Sequence, residues 1–362
     1  MIDHYYAVIM AGGGGTRLWP LSRQSRPKQM LELTGPESLF RTAFRRLQGL
    51  FAYENILVVT TQEQAEPLMA QCPEIPPENY LLEPQPRGTA SVVGLAAVAL
   101  QQRDPQAVMA VLTSDHHITH EDRFRHLLET AYDIARREYL VTLGISPTYP
   151  ATGYGYIQSG ELLGNYRGLE AYRVRRFKEK PNLEQAQAML AGGDHAWNSG
   201  MFVWQVQDIL KEFQRQMPTL HDHLQTIGHA WDTPNRQSTL QATWSQLEVV
   251  TIDYGIMEGA ERVAVIPAAG LGWNDIGSWE SIFEILSKDQ NGNIAADGQH
   301  IFLDTHNTLF YSTHPGRLTV AIGVDDLVVV DTGDVLLICT REQAQKVRQV
   351  VNQLKQTNPK YL

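Results

Sequence analysis

The sequence predicts an α/β fold, in which a Rossmann-like mixed sheet covered by helices is followed by a small strand-rich domain. Short apolar runs alternate with helical segments over the first 150 residues, and a glycine-rich loop directly follows the first run. Closely spaced short strands after residue 293 indicate the smaller domain. A chain of 362 residues is long enough for both.

Hydrophobic periodicity and run length predict the elements of the first part. Buried strands are expected at residues 5–10, 56–60, 107–112 and 139–143, and helices at residues 38–47, 89–101 and 122–137. From residue 150 onward, the pattern predicts a strand at 172–177, helices at 205–216 and 235–246, and turn-rich segments at 153–156 and 197–200.

The C-terminal part is dominated by short apolar runs with Gly, Asp and Asn at the bends. Strands are expected at residues 301–303, 308–311, 319–322, 327–330 and 335–339, followed by a terminal helix at 341–354. The close spacing without a strict repeat favours a small β-solenoid or roll. We therefore predict a larger domain over residues 1–285 and a β-rich domain with its closing helix over residues 286–362.

Composition excludes several classes of protein. Thirty basic against 40 acidic residues give a net charge of −10, which argues against a nucleic-acid partner. No apolar run approaches the ~18 residues of a membrane span, so we expect no membrane partner. Cys72 and Cys339 lie far apart without metal-ligand spacing. Reduced thiols and a cytoplasmic location are therefore expected.

The glycine-rich loop spans residues 11–18 and reads Ala-Gly-Gly-Gly-Gly-Thr-Arg-Leu. Glycines let the backbone approach a ligand closely and point several N–H groups at one anion. Arg17 occupies the position where a dinucleotide fingerprint needs its third glycine. A P-loop needs Gly-Lys-Ser/Thr, whereas this loop has Gly15-Thr16-Arg17, so neither motif is supported.

Four cations lie within twelve positions of this acidic chain, which indicates a polyphosphate ligand. Arg17 and Lys28 are the candidate phosphate-binding cations. For Arg23 and Arg26 a solvated surface charge is the favoured interpretation.

Residues 8–23 read Val-Ile-Met-Ala-Gly-Gly-Gly-Gly-Thr-Arg-Leu-Trp-Pro-Leu-Ser-Arg, and residues 27–29 read Pro-Lys-Gln. This segment resembles the signature of mannose-1-phosphate guanylyltransferases, also called GDP-mannose pyrophosphorylases, which are sugar nucleotidyltransferases. The resemblance spans nearly the whole chain. It implies transfer of GMP from GTP to α-D-mannose 1-phosphate, a Mg²⁺ cofactor and a homodimer. The nucleotide-binding residues that it implies in the loop are Ala11, Gly12, Gly13, Gly14, Gly15 and Thr16.

Two aspartates in separate motifs are the candidate metal ligands. Asp115 follows Ser114 at the end of a predicted strand, where open α/β sheets place their ligand crevice. Asp275 lies in the motif Trp-Asn-Asp-Ile-Gly-Ser-Trp at residues 273–279. Carboxylates with phosphate oxygens are the usual ligands of Mg²⁺, and the family uses both matching aspartates as metal ligands. Ser114 is a candidate nucleotide-binding residue, and Arg17 and Lys28 are expected to stabilise the leaving pyrophosphate.

Four further segments resemble the family's sugar-phosphate site. They lie at residues 152–157, 177–181, 197–202 and 251–258. The resemblance implies sugar-phosphate roles for Gly153, Gly155, Glu179, Lys180, Asn198 and Asp253. Lys180 can neutralise the 1-phosphate, and Glu179 can accept hydrogen bonds from sugar hydroxyls.

Glu83 and Gly88 lie in a segment that resembles the family's base-binding loop. A carboxylate can accept both Watson–Crick donors of guanine, and a backbone N–H at Gly88 can serve the guanine O6. The loop departs from the family pattern at Pro86, Gly88 and Ser91, and Gly259 stands where the family usually has Lys.

Two alternatives stay open. One is another NTP:sugar-1-phosphate nucleotidyltransferase, such as a glucose-1-phosphate enzyme. The other is a non-catalytic nucleotide-sugar sensor, which would have lost a metal carboxylate.

Overall fold

The computed structural model describes residues 2–13, 15–296, 298–314 and 316–362, and these divide into two compact units. The first unit comprises the residues up to Gly12 together with Ala43–Ser114 and Ile118–Trp273. The second unit comprises Gly13–Thr42, Asp115–His117 and Asn274–Leu362. The predicted domain boundary near residue 285 divides the chain differently and stays a prediction.

The strands and helices are numbered in chain order. They are β1 (Tyr5–Met10), α1 (Leu39–Arg45), β2 (Ile56–Thr61), α2 (Gln62–Gln71), β3 (Tyr80–Glu83), α3 (Thr89–Arg103), β4 (Val108–Thr113), β5 (His117–Ile118), α4 (Glu121–Ala135), β6 (Leu140–Ile145), β7 (Tyr156–Tyr166), β8 (Leu169–Lys178), α5 (Leu183–Gly192), β9 (His195–Gln205), α6 (Val206–Gln216), α7 (Pro218–His229), α8 (Arg236–Trp244), β10 (Val263–Pro267), β11 (Trp273–Asn274), α9 (Trp279–Ile285), β12 (Ile294–Ala296), β13 (Gln299–Leu303), β14 (Leu309–Ser312), β15 (Leu318–Ile322), β16 (Leu327–Asp331), β17 (Leu336–Thr340) and α10 (Val347–Thr357).

The first unit is built on a nine-stranded mixed sheet with the order β3-β2-β1-β4-β9-β6-β10-β8-β7. Strands β1 to β4 pair in parallel, whereas β9 runs antiparallel to both β4 and β6. Successive side chains of a strand point to opposite faces of the sheet. Tyr6 and Val8 of β1 join one buried cluster with α3, α6 and α7, while the Tyr5 hydroxyl donates to Leu128 O of α4 at 2.9 Å. Helices therefore cover both faces, and the predicted α/β fold with a mixed sheet is confirmed.

The second unit contains the strand-rich C-terminal part. β12, β14 and β16 pair in parallel and align Ile294, Leu309 and Val328 in register, and all three side chains are buried. β17 closes this sheet in antiparallel orientation, and β13 pairs in parallel with β15. Stacked parallel strands with an inward apolar row are typical of a β-solenoid. The predicted solenoid is confirmed, and so is the terminal helix, which follows a 3₁₀ segment, Arg341–Lys346.

The predicted turn at residues 197–200 is wrong, because these residues lie inside β9. β9 pairs with β4, β6 and β7. Around residues 197–200 the pairing is with β6 and β7, and it outweighs the local turn preference of Asn-Ser-Gly. Gly200 takes a positive φ of 69° within the strand. Within the described residues, no helix combines the length and the hydrophobicity that a membrane crossing requires.

Candidate functional site

The glycine-rich loop begins with residues fixed to the sheet of the first unit. The Ala11 N–H donates to Val59 O at 2.9 Å, and Thr60 Oγ1 donates to Ala11 O at 2.9 Å. A Cβ placed on Gly12 would lie 3.2 Å from Glu83 Oε1. Glycine at position 12 therefore leaves room for the Glu83 carboxyl group beside the loop backbone.

Glu83 ends β3 with its side chain buried, at 3% exposure. Within the described part of the chain, its Oε2 atom has no hydrogen-bond partner. Burial raises the pKa of Glu83 to about 7, although the backbone N–H of Arg87 partly offsets this effect. The group is thus a buried carboxyl with an unused acceptor, which is suited to a ligand donor.

Gly88 precedes α3 and packs against the backbone of a distant segment of the same unit. Its φ is 83°, and any Cβ there would collide with the carbonyl group of Val250. The N–H of Ala90 donates to Val250 O at 3.2 Å, and the N–H of Ile252 donates to Thr89 Oγ1 at 2.9 Å. This close approach is the physical reason for glycine at position 88.

The loop continues into the second unit, where it packs on Lys28. Gly15 has a φ of 53°, and a Cβ there would collide with the Lys28 side chain and lie 3.1 Å from its backbone nitrogen. Ser22 Oγ donates to Gly15 O at 2.6 Å. Gly13 has a φ of 99°. Gly14 lies outside the described residues.

Arg17 lies within a single 3₁₀ turn, Thr16–Leu18, and its side chain is exposed. Among the described residues, no ion pair or hydrogen bond engages its guanidinium group. The cation is therefore available to an anionic ligand.

Lys28 brings the two predicted metal ligands together. Its side chain is buried, and Nζ donates to Asp115 Oδ2 at 2.8 Å and to the backbone oxygen of Asp275 at 2.5 Å. Burial alone would raise the pKa of Asp115. The charges of Lys28 and His116 and the hydrogen bond from Lys28 outweigh it and hold the pKa below the ordinary value. Asp115 is therefore a carboxylate at neutral pH.

The donor set fits a hard divalent cation. Asp275 Oδ1 accepts from the N–H of Gly277 at 2.9 Å, and any Cβ on Gly277 would collide with Asp275 Oδ2. Within the described ranges, no three His, Cys, Asp or Glu side chains form a metal-binding cluster. Two carboxylates suit Mg²⁺, which takes its remaining ligands from phosphate oxygens and water. Ser114, the last residue before Asp115, is buried, and its N–H donates to Met10 O at 3.3 Å.

A second polar cluster lies in the first unit and contains most of the predicted sugar-phosphate residues. Asn198 Nδ2 donates to Asp253 Oδ1 at 2.7 Å, and Thr142 Oγ1 donates to Asn198 Oδ1 at 3.3 Å. The N–H of Asn198 donates to Gly155 O at 2.8 Å. Burial, reinforced by the charge of Glu179, raises the pKa of Asp253 to about 6.

Glu179 is the most deeply buried charged group of this cluster. Its Oε1 accepts from Lys180 Nζ at 2.5 Å, while Oε2 is buried without a partner in the described structure. A Cβ on Gly155 would collide with Oε2 and displace the Glu179 carboxyl group from its observed position. A Cβ on Gly153 would meet no atom within 4 Å. The unused oxygen of Glu179 can therefore accept a hydrogen bond from a ligand hydroxyl.

Sequence reasoning missed Glu258, which supports this cluster. Its Oε1 accepts from the backbone N–H of Glu179 at 2.9 Å and from Lys178 Nζ at 3.3 Å. A Cβ on the neighbouring Gly259 would displace the amide group of Gln216 from its observed position. The signal for Glu258 was its place at the end of the 251–258 motif.

The favoured interpretation of Arg23 as a solvated charge is wrong. Its side chain is 14% exposed and pairs with Asp334 at 2.9 Å. Its side-chain partners, Thr332 and Asp334, lie more than 300 positions away, which local sequence cannot reveal.

Comparison with known proteins identifies two families. A sequence model described as "Nucleotidyl transferase" matches residues 6–292, and a model described as "MannoseP isomerase/GMP-like beta-helix domain" matches residues 298–354. The second description agrees with the parallel strands stacked in the C-terminal part.

Individual relatives match nearly the whole chain. The chain is 38% identical over 356 residues to "Mannose-1-phosphate guanylyltransferase" of Escherichia coli K12, covering 97% of this chain and 73% of that protein. It is 36% identical to "Alginate biosynthesis protein AlgA" of Pseudomonas aeruginosa, covering 96% and 71% of the two chains. A crystal structure from Thermus thermophilus, published as a "mannose-1-phosphate geranyltransferase", matches with a TM-score of 0.86 and 33% identity over 97% of this chain and 99% of the other.

Proposed function

The chain belongs to the mannose-1-phosphate guanylyltransferases within the nucleotidyl transferase family, and we propose that it transfers GMP from GTP to α-D-mannose 1-phosphate. The products are GDP-mannose and pyrophosphate. The observation that carries this proposal is the buried Lys28, which holds the Asp115 carboxylate and the backbone of Asp275. A buried cation next to a carboxylate suits phosphoryl transfer with a divalent cation, because both the cation and a metal held by the carboxylate can stabilise charge on phosphate oxygens.

The reaction needs no general base, because the phosphate oxygen of the sugar is already an anionic nucleophile. The chain's tasks are in-line positioning and charge stabilisation. Lys28 and Arg17 stabilise the charge that develops on the leaving pyrophosphate. Backbone N–H groups of the glycine-rich loop bind the nucleotide phosphates. Asp115 and Asp275 would hold Mg²⁺, which would supply positive charge to reduce the repulsion between the two reacting phosphates.

The cluster of the first unit binds the sugar phosphate in this proposal. Glu179 and Asp253 accept hydrogen bonds from sugar hydroxyls, and the Lys180 ammonium neutralises the 1-phosphate. Among the residues that the structure describes, Oε2 of Glu179 is buried without a partner, which supports this role because native structures seldom leave such an atom unpaired.

The direct test is a coupled pyrophosphate-release assay with four nucleoside triphosphates and several sugar 1-phosphates. We expect the highest kcat/KM for GTP with mannose 1-phosphate. A higher value for glucose 1-phosphate would favour the other transferase class. Nucleotide-sugar binding without any pyrophosphate release would favour a sensor.

Replacing Glu83 by Gln tests recognition of the base. The carboxylate can accept from both N1–H and the 2-amino group of guanine, whereas adenine presents an acceptor at N1. Glu83→Gln places an NH₂ group where an acceptor is needed and should cost roughly 1–3 kcal/mol of discrimination against ATP. The measurement is the ratio of kcat/KM for GTP and ATP in both proteins. An unchanged ratio would show that Glu83 does not recognise the base, and that backbone groups such as the N–H of Gly88 do so instead.

The raised pKa of Glu83 predicts a pH dependence. Its proton must leave before the group accepts both guanine donors, so kcat/KM for GTP should rise with pH through about 7. In Glu83→Gln, kcat/KM for GTP should no longer rise with pH through this range. An equal rise in both proteins would contradict the role of Glu83 in base recognition. The stability of the free protein should fall as pH rises from about 4.5 to about 7, because the unfolded chain ionises Glu83 first.

We also propose that the protein is a homodimer. Ile301 lies opposite Val320 and Leu303 lies opposite Ile322 in the β13–β15 register, and all four side chains are about half exposed. A contiguous apolar ladder on an exposed face is typical of an association surface. The expected partner is a second copy of this chain.

The cytoplasmic location that the sequence predicts stays a prediction.

Light scattering during size-exclusion chromatography should give twice the chain mass of 40.7 kDa. The pair Ile301→Lys with Val320→Glu keeps a favourable cross-strand contact but removes the apolar ladder, so it should yield the monomer. Leu162→Lys, an exposed leucine of β7, is the control and should leave the mass unchanged. A dimer in the double variant would place the interface elsewhere.

A further inference from the structure

Arg23 joins the glycine-rich segment to the C-terminal part of the second unit. Its Nε donates to Pro20 O at 2.6 Å, and one terminal nitrogen donates to Tyr361 O at 2.9 Å. The other terminal nitrogen donates to Asp334 Oδ1 at 2.9 Å and to Thr332 Oγ1 at 3.1 Å. All three nitrogens of the guanidinium group are therefore engaged, which fixes the orientation of the whole side chain.

Trp19 strengthens the same junction. Its Nε1 donates to Tyr361 O at 2.7 Å, so that one carbonyl group accepts from both Trp19 and Arg23. Trp279, which is fully buried, donates from Nε1 to Trp19 O at 3.1 Å. We call Trp19, Arg23, Thr332, Asp334 and Tyr361 the C-terminal tie.

Two short routes connect Arg23 to Lys28. In the first, the adjacent Ser22 donates to Gly15 O at 2.6 Å, and Gly15 packs directly on Lys28. In the second, the backbone groups of Arg23 and Arg26 exchange hydrogen bonds of 2.9 and 3.2 Å, which closes the turn just before Lys28. A displacement of Arg23 would therefore move both supports of Lys28.

We propose that Arg23 is a positioning residue, which acts through the C-terminal tie to hold Lys28 where it stabilises the leaving pyrophosphate. This inference rests on the function proposed above for Lys28. Lys28 is buried, and its ammonium group reaches two acceptors at short distance. Phosphoryl transfer depends on such placement, and a small displacement is costly in rate. The alternative role for Arg23 is a cross-link that stabilises the fold without affecting Lys28.

The first experiment compares Arg23→Ala with the wild type in the pyrophosphate-release assay. We expect kcat to fall by about tenfold or more, with KM for mannose 1-phosphate within about twofold, because the sugar cluster belongs to the other unit. Arg317→Ala is the matched control. Arg317 pairs with Asp331 in the same unit and is half exposed, so its loss should leave kcat unchanged. Arg23→Lys keeps the charge but not the planar fork, and it serves as the second variant if Arg23→Ala does not fold.

The decisive measurement is a double-mutant cycle with Lys28→Ala. If Arg23 acts through Lys28, Arg23→Ala should lower kcat by less than about twofold in the Lys28→Ala background. An equal loss in both backgrounds would show a merely structural role and overturn the inference. An unchanged kcat for Arg23→Ala in the wild-type background would also overturn it. If Lys28→Ala kept the wild-type kcat, the proposed role of Lys28 would be wrong, and this inference with it. If the wild-type protein released no pyrophosphate, the proposed function itself would be wrong.

Discussion

Asp115→Asn and Asp275→Asn are each expected to lower turnover by orders of magnitude while leaving the fold intact. Asparagine keeps the shape of aspartate but removes the negative charge that a divalent cation requires. Asp115→Asn also deprives Lys28 of its ion-pair partner at 2.8 Å. The measurement is kcat over a Mg²⁺ titration, with the melting temperature as the test of folding.

Asp325→Asn is the matched control for these two variants. Asp325 belongs to the same unit, is exposed and pairs with His306 at 2.8 Å, so its loss should not change turnover. Near-normal Mg²⁺-dependent turnover in Asp115→Asn or Asp275→Asn would remove that residue from the metal site.

Lys28→Ala and Arg17→Ala are each expected to lower kcat by a larger factor than they raise the KM for GTP. The charge on the leaving pyrophosphate develops in the transition state, so a cation matters most there, and each loss should be about 10²–10³-fold. A raised KM for GTP with unchanged kcat would show ground-state binding alone.

The two variants should differ in stability. Lys28→Ala leaves the Asp115 carboxylate without its counter-ion, which should lower the melting temperature. Arg17 is exposed, so Arg17→Ala should leave the melting temperature unchanged. Equal melting temperatures in both variants would indicate that the Lys28–Asp115 pair adds no net stability.

Three of the four strands at the parallel end of the central sheet, β1, β2 and β4, could be predicted from sequence because they are buried on both faces, whereas the four-residue β3 was missed. Continuous apolar runs such as those of β1 and β2 have few alternatives to a buried strand. The helices α2 and α7 were missed. Pro67 lies inside α2, and Pro218 begins α7, so local breaker signals concealed both. The strand β9 was missed for the opposite reason, since only pairing with its neighbours fixes its conformation.

The candidate site was predictable as a set of motifs but not as a set of contacts. Lys28 and Asp115 were each identified from their motifs, yet the bond from Lys28 to the backbone oxygen of Asp275 joins residues 247 positions apart. No local pattern encodes such a contact. The raised pKa of Asp253 could not be predicted from the sequence either, because it depends on burial and on the charge of Glu179 rather than on the motif itself.

The packing of Gly88 has a consequence for engineering the loop that we propose binds the base. Any side chain at this position would need space that the carbonyl group of Val250 occupies. Transplanting a relative's loop into this scaffold therefore requires transplanting the segment around Val250 together with it. The two stretches form one exchangeable module although 162 positions separate Gly88 from Val250, and a change of nucleotide preference has to be designed on both at once.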